Sequence, residues 1–131
     1  DGGIVATGST RSYKSAQTDM SVMNLDTDGN IVWHKIYGFK YYEYGNAVAS
    51  TDDGAVMIAG GTSNLGKGDN SVYMIALDKS GTLIWSHVYG DGGKDTITAI
   101  ASIDDGSMKE VGVINSTGRA TKFYMLKIDK Q

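Results

Sequence analysis

The sequence predicts an all-β fold made of four-stranded antiparallel units repeated along the chain, and three observations predict it. Glycine is 18 of 131 residues and proline is zero, against ordinary values of about 7% and 5%, so glycine makes the turns. Runs rich in β-branched and aromatic residues alternate with those turns, and no segment shows the apolar period of about 3.6 residues that a helix needs. The third observation decides the matter: shifted by 52 residues, so that Asp1 falls on Asp53, the chain superimposes on itself.

Under that shift Asp1-Gly2 lands on Asp53-Gly54 and then on Asp105-Gly106, and Gly8 lands on Gly60 and Gly112. Leu25-Asp26 matches Leu77-Asp78, Gly29 matches Gly81, Trp33 matches Trp85, and Tyr37-Gly38 matches Tyr89-Gly90. In the third copy the register slips by one, so that Tyr73-Met74 meets Tyr124-Met125. Such slips belong in loops, where a change of length is tolerated.

The elements of one period follow in order. Ala47–Thr51 is a short strand of small residues. Gly54–Thr62 (GAVMIAGGT) follows an Asp-Asp-Gly turn, Val72–Asp78 (VYMIALD) follows a polar loop, and Thr82–Tyr89 (TLIWSHVY) follows Asp-Lys-Ser-Gly. Length and composition favour strands at each. Gly29 and Gly81 fall where a tight hairpin requires positive φ, and Asp26 and Asp78 stand where a carboxylate bonds the turn backbone.

Four strands in a unit of this length describe one blade of a β-propeller. The chain then reads as a partial blade at 1–46, a full blade at 47–90 and a partial blade at 95–131, about ten strands forming an incomplete ring. A lone blade leaves both sheet faces bare and needs neighbours. Three arrangements supply them: a longer propeller, a ring closed by other copies, or blades stacked end to end. Asp1 opens inside a repeat, so the natural chain is expected to continue upstream.

The pattern Asp1-Gly2-Gly3…Gly8-Ser9-Thr10, then Leu25-Asp26…Gly29-Asn30…Trp33…Tyr37-Gly38, repeated from Asp53 to Gly90, resembles the bacterial and archaeal β-propeller repeat family called SBBP. The resemblance spans nearly the whole chain and implies blade architecture in a secreted or cell-surface protein; a non-catalytic interaction module is expected, with a self-assembling structural subunit that completes its blades with neighbouring copies as the alternative. The runs NLDTDGNIVW and ALDKSGTLIW are also similar to blades of pyrroloquinoline-quinone dehydrogenases. Those enzymes need a cofactor and a metal site, and no residues here match one, so no cofactor is expected; a fragment of a propeller enzyme is the remaining catalytic alternative.

Composition narrows the function further. Lys and Arg number 12 against 15 Asp and Glu, a formal charge of −3, which offers no basic footprint for nucleic acid. No apolar run approaches the roughly 18–20 residues of a membrane-spanning helix. Cysteine is absent, which removes disulfides and thiolate metal sites. Asp26-Thr27-Asp28-Gly29-Asn30 begins like a calcium loop, but the later ligands are missing and the equivalent turn carries Lys79, so a hairpin turn is expected. His34 and His87 do not coincide under the shift and have no carboxylate at catalytic or metal spacing. Trp33, Trp85, Tyr37 and Tyr89 recur once per repeat and are assigned to packing between blades.

Residues that break the repeat in loops are the binding candidates, because packing does not explain them. In propellers the loops between strands two and three and those between successive blades emerge on one rim. The first set supplies Arg11, Tyr13, Lys67, Asp69, Asn70 and Arg119. The second supplies Tyr41, Tyr42, Glu43 and Tyr44, in the aromatic run Phe39–Tyr44 that faces Asp-Gly-Gly-Lys-Asp-Thr in the next copy. Tyrosine joins a large contact area to a polar tip and suits protein or glycan recognition; covering an inter-blade crevice is the competing role. Asn115-Ser116-Thr117 is a glycosylation sequon. Met108-Lys109-Glu110 places charge where the other copies have apolar strand; a solvent-facing edge is the expected reason, with an interface or a channel-lining polar site as the alternatives. Expected partners are further blades, from the same chain or other copies, and a surface protein or glycan.

Overall fold

The computed structural model describes residues 2–11, 17–39, 41–51, 53–63, 70–90 and 93–101 in full, and the backbone alone of 102, 108–115 and 122–128. Within them the fold is all-β and antiparallel, with no helix. Strands β1 (Ile4–Arg11), β2 (Thr18–Leu25) and β3 (Ile31–Tyr37) form the first sheet. The second sheet is β4 (Glu43–Ser50), β5 (Val56–Thr62), β6 (Ser71–Leu77) and β7 (Leu83–Tyr89), hydrogen-bonded in that order. The third contains β8 (Lys94–Ser102), β9 (Met108–Asn115) and β10 (Lys122–Ile128). All three sheets are open, and each is a simple meander.

The tight turns form as their residues dictate. Gly29 and Gly81 have φ of 84° and 75°, a region costly to any residue with a Cβ. Asp26 Oδ1 accepts from the Asp28 and Asn30 amides at 2.9 and 2.8 Å, and Asp78 Oδ1 from those of Ser80 and Thr82 at 2.8 and 2.9 Å. These bonds hold both carboxyls below the ordinary range, with Asn30 and Ser80 side-chain donors as the leading causes. The Asp26–Asn30 segment is thus a self-bonded hairpin turn. The ladder also shifts register next to each turn, at Asn24/Leu25 and Ala76/Leu77.

Two corrections concern strand limits. The strand expected at Ala47–Thr51 runs from Glu43 to Ser50, so Glu43 and Tyr44 are strand rather than loop. The glycines opposite explain the extension: Tyr44 pairs with Gly61 and Gly45 with Gly60, and the Tyr44 ring occupies the space that a side chain at position 61 would need. Lys94 and Asp95, which coincide under the 52-residue shift with the loop candidates Tyr42 and Glu43, belong to β8. The edge explanation for Lys109-Glu110 does not hold either, because β9 lies between β8 and β10; their side chains lie outside the described residues.

The core lies between sheets. On one face of the second sheet Val56, Ile58, Tyr73, Ile75 and Leu77 are buried with Met20 and Val22 of the first, and Trp33, Tyr37 and Val5 pack against them. On its other face Met57, Ala59, Val72 and Met74 are buried with Ile97 of the third, flanked by Trp85 and Tyr89. Every residue of β5 and β6 is therefore buried, the pattern of a sheet covered on both sides. Of the recurring aromatics, Trp33 and Tyr37 bond across to the second sheet. Trp33 Nε1 donates to the Lys79 carbonyl at 3.1 Å, and the Tyr37 hydroxyl donates to that of Gly81.

Candidate binding rim

Antiparallel register sorts the connections into two ends. Pairs Glu43↔Thr62, Thr62↔Ser71, Met20↔Tyr37, Arg11↔Thr18 and Lys94↔Asn115 place the strand ends that flank the candidate segments at one end of their sheets. Arg11 is exposed at the end of β1. Tyr13, Lys67, Asp69 and Arg119 lie outside the described residues. Asn115 closes β9 opposite Lys94, and its side chain lies outside them as well. The two histidines fall on opposite kinds of face: the His87 ring lies between those of Trp85 and Tyr89, centroids 5.0 and 6.0 Å away and tilted by 38° and 54°, whereas His34 bonds Ser21 Oγ at 2.9 Å on the outward face of the first sheet.

The aromatic run divides by depth. Phe39 and Tyr42 are exposed, at 54% and 44%, Tyr41 and Tyr44 are half-buried, and Glu43 is fully buried. Tyr44 lies over Gly61, and burial raises its pKa. Glu43 points beneath the run, where Oε2 accepts from the Phe39 amide at 3.0 Å and Oε1 from the Thr62 hydroxyl at 2.9 Å. A buried carboxylate demands such donors, and satisfying them fastens the β3–β4 connection to the second sheet. A second tie joins it to the start of the next loop: Ser63 N donates to Tyr42 O at 3.0 Å, and Tyr42 N to Ser63 Oγ at 3.2 Å. The Phe39 ring meets Tyr73 edge-on, centroids 5.7 Å apart at 74°. Burial, with the negative charge of Glu43 adding and a bond to Ser86 opposing, pushes the Tyr73 hydroxyl up to about 12.

Asn70, half-buried, bridges to the third sheet through its backbone. Its carbonyl accepts from the Asp95 amide at 3.1 Å, in a parallel bridge to Lys94. Sequence reasoning missed that the rim rests on buried carboxylates, Asp19 at 8% exposed and Glu43 and Asp95 at 0%. A signal was present, since Glu43 and Asp95 coincide under the 52-residue shift. Nothing comparable marks Asp19, which coincides with Ser71.

The opposite rim holds a cleft of about 430 Å³ between the first two sheets, lined in part by Val5, Asn24, Thr51, Val56 and Lys79. Among the described residues, no group of three or more His, Asp or Glu could hold a metal ion. The rim presents aromatic surface on a fastened backbone, suited to stacking and hydrogen bonding. Comparison with family models and with curated proteins finds no match.

Proposed function

We propose that the chain is a non-catalytic β-propeller repeat module of a secreted or cell-surface protein, and that the rim carrying Phe39, Tyr41 and Tyr42 binds a protein or a glycan. The observation that carries the reading is the combination of exposed aromatics with a backbone fastened by buried Glu43 and by Ser63. Rigid aromatic anchors bind well because little freedom remains to be lost on contact. The propeller reading draws on the 52-residue repeat and on the way the sheets stack. Across sheets the strands approach at β4 with β1 and β2, and at β8 with β4, β5 and β6, while Val32, Ile36, Ile84 and Val88 on the far strands stay exposed. Sheets close at one edge and open at the other form a wedge, as blades around an axis do.

The test is binding to a glycan array and to a panel of purified surface proteins. Replacing Phe39 and Tyr42 together by alanine is expected to weaken a partner found this way about 30-fold, the scale of a hot-spot loss. The thermal midpoint should fall by only a few degrees, the scale of one lost edge-to-face ring contact. An affinity equal to that of the unaltered chain would overturn the assignment of the rim.

A further inference from the structure

The repeat permits a comparison that no single sheet allows, because each position of the first sheet has an equivalent in the second. The face of the second sheet that meets the first is built from Val56, Ile58, Tyr73, Ile75 and Leu77, none more than 3% exposed. Subtracting 52 gives Ile4, Ala6, Ser21, Met23 and Leu25, which share the outward face of the first sheet. There Ile4 is 59% exposed, Ala6 is exposed, and Met23 and Leu25 are half-buried. Four of the five are apolar, and among the described residues no sheet covers them.

Two glycine pairs show what is missing. At Gly81 a Cβ would lie 3.0 Å from the Trp33 ring; at its equivalent, Gly29, no described atom lies within 4 Å. Gly81 is buried and Gly29 exposed, although the two turns have the same hydrogen bonds, Gly29 N to Asp26 O at 3.1 Å and Gly81 N to Asp78 O at 2.9 Å. Likewise a Cβ at Gly60 would collide with the Tyr44 carbonyl of the neighbouring strand, whereas Gly8 again has nothing within 4 Å. Among the described residues, the first turn thus meets no indole and β1 is an edge with no strand on its outer side.

We propose that the outward face of the first sheet docks one further sheet of this same repeat, whose outer strand carries a tryptophan and, four residues on, a tyrosine. Its indole N–H would donate to the Thr27 carbonyl and its tyrosine hydroxyl to that of Gly29, as Trp33 and Tyr37 do to Lys79 and Gly81. The segment joining the two sheets would supply the strand that pairs with β1. A second copy of the chain does not fit this role, because its Trp33 and Trp85 are already packed against its own second and third sheets. The inference rests on the propeller-repeat reading and is independent of what the rim binds.

The test extends the full chain by a duplicate of residues 1–52 placed ahead of Asp1, and follows amide hydrogen exchange. The β1 amides directed away from β2 should slow at least 100-fold, to the rates of β5. Replacing the tryptophan equivalent to Trp33 by alanine in the duplicate alone should return much of that exchange, as should Ile4→Glu. Strands that form in the duplicate while β1 exchanges as before would overturn the docking and spare the repeat reading. A duplicate that forms no strands would overturn both. Light scattering on the 131-residue chain supplies the last arm: a dimer that Ile4→Glu dissolves would make a second copy the occupant and overturn the proposal as stated.

Discussion

Asp26 and Asp78 each gather the amides of a turn onto one carboxylate oxygen, and the charge is what makes the arrangement favourable. Both pKa values are lowered from 3.8 in the folded chain. The unfolded chain therefore takes up protons first as pH falls. The contribution of the pair is complete above the unfolded value and is lost as pH drops through the lower folded values. Replacing both by alanine should lower the thermal midpoint at neutral pH and flatten its fall between about pH 5 and pH 2. Calorimetry across that range checks it; an equally steep fall in the double variant would show that other carboxylates govern acid unfolding. At this scale the sequence was readable, because a turn is a local contract among five residues. Glu43 was readable only in part: its coincidence with Asp95 marks the position, but the strand opposite is needed to see its carboxylate turn inward to Thr62.

Among elements, the hairpins β2–β3 and β6–β7 are the same object in two surroundings. Alanine at Gly29 meets only the strain of positive φ, about 1–2 kcal/mol for a residue with a Cβ. At Gly81 it meets that strain and the Trp33 ring at 3.0 Å. Urea unfolding should therefore rank Gly81→Ala clearly below Gly29→Ala in stability, and equal losses would mean that the indole yields without cost. Strand limits show where sequence reading stops. The type and order of the strands followed from composition and period, but β4 begins four residues before the expected Ala47 because two facing glycines, Gly60 and Gly61, admit the bulky Tyr44 beside them. A rule based on one strand's own residues does not see its partner.

For the molecule as a whole, burial concentrates in the middle. Among the described residues, the fully covered strands β5 and β6 stand between the partly covered first sheet and β8. Native-state hydrogen exchange should place their amides at the highest protection, reached only by global unfolding, with β3 and β7 well below. Uniform protection across all strands of the first two sheets would contradict it. The repeat made this stacking legible, since an aromatic that returns at the structural period has to serve the junction between units. The rim was legible only in part: loops that depart from the repeat pointed to it, but how deep each side chain sits depends on contacts between segments far apart in sequence.

The two tryptophans occupy equivalent places, Trp33 against the second sheet and Trp85 against the third. Each junction thus contains its own fluorophore, and the chain has no other indole to blur the signal. The emission of the molecule is the sum of two independent gauges, one for each seam, so single-tryptophan variants can time the joining of the sheets without any added label.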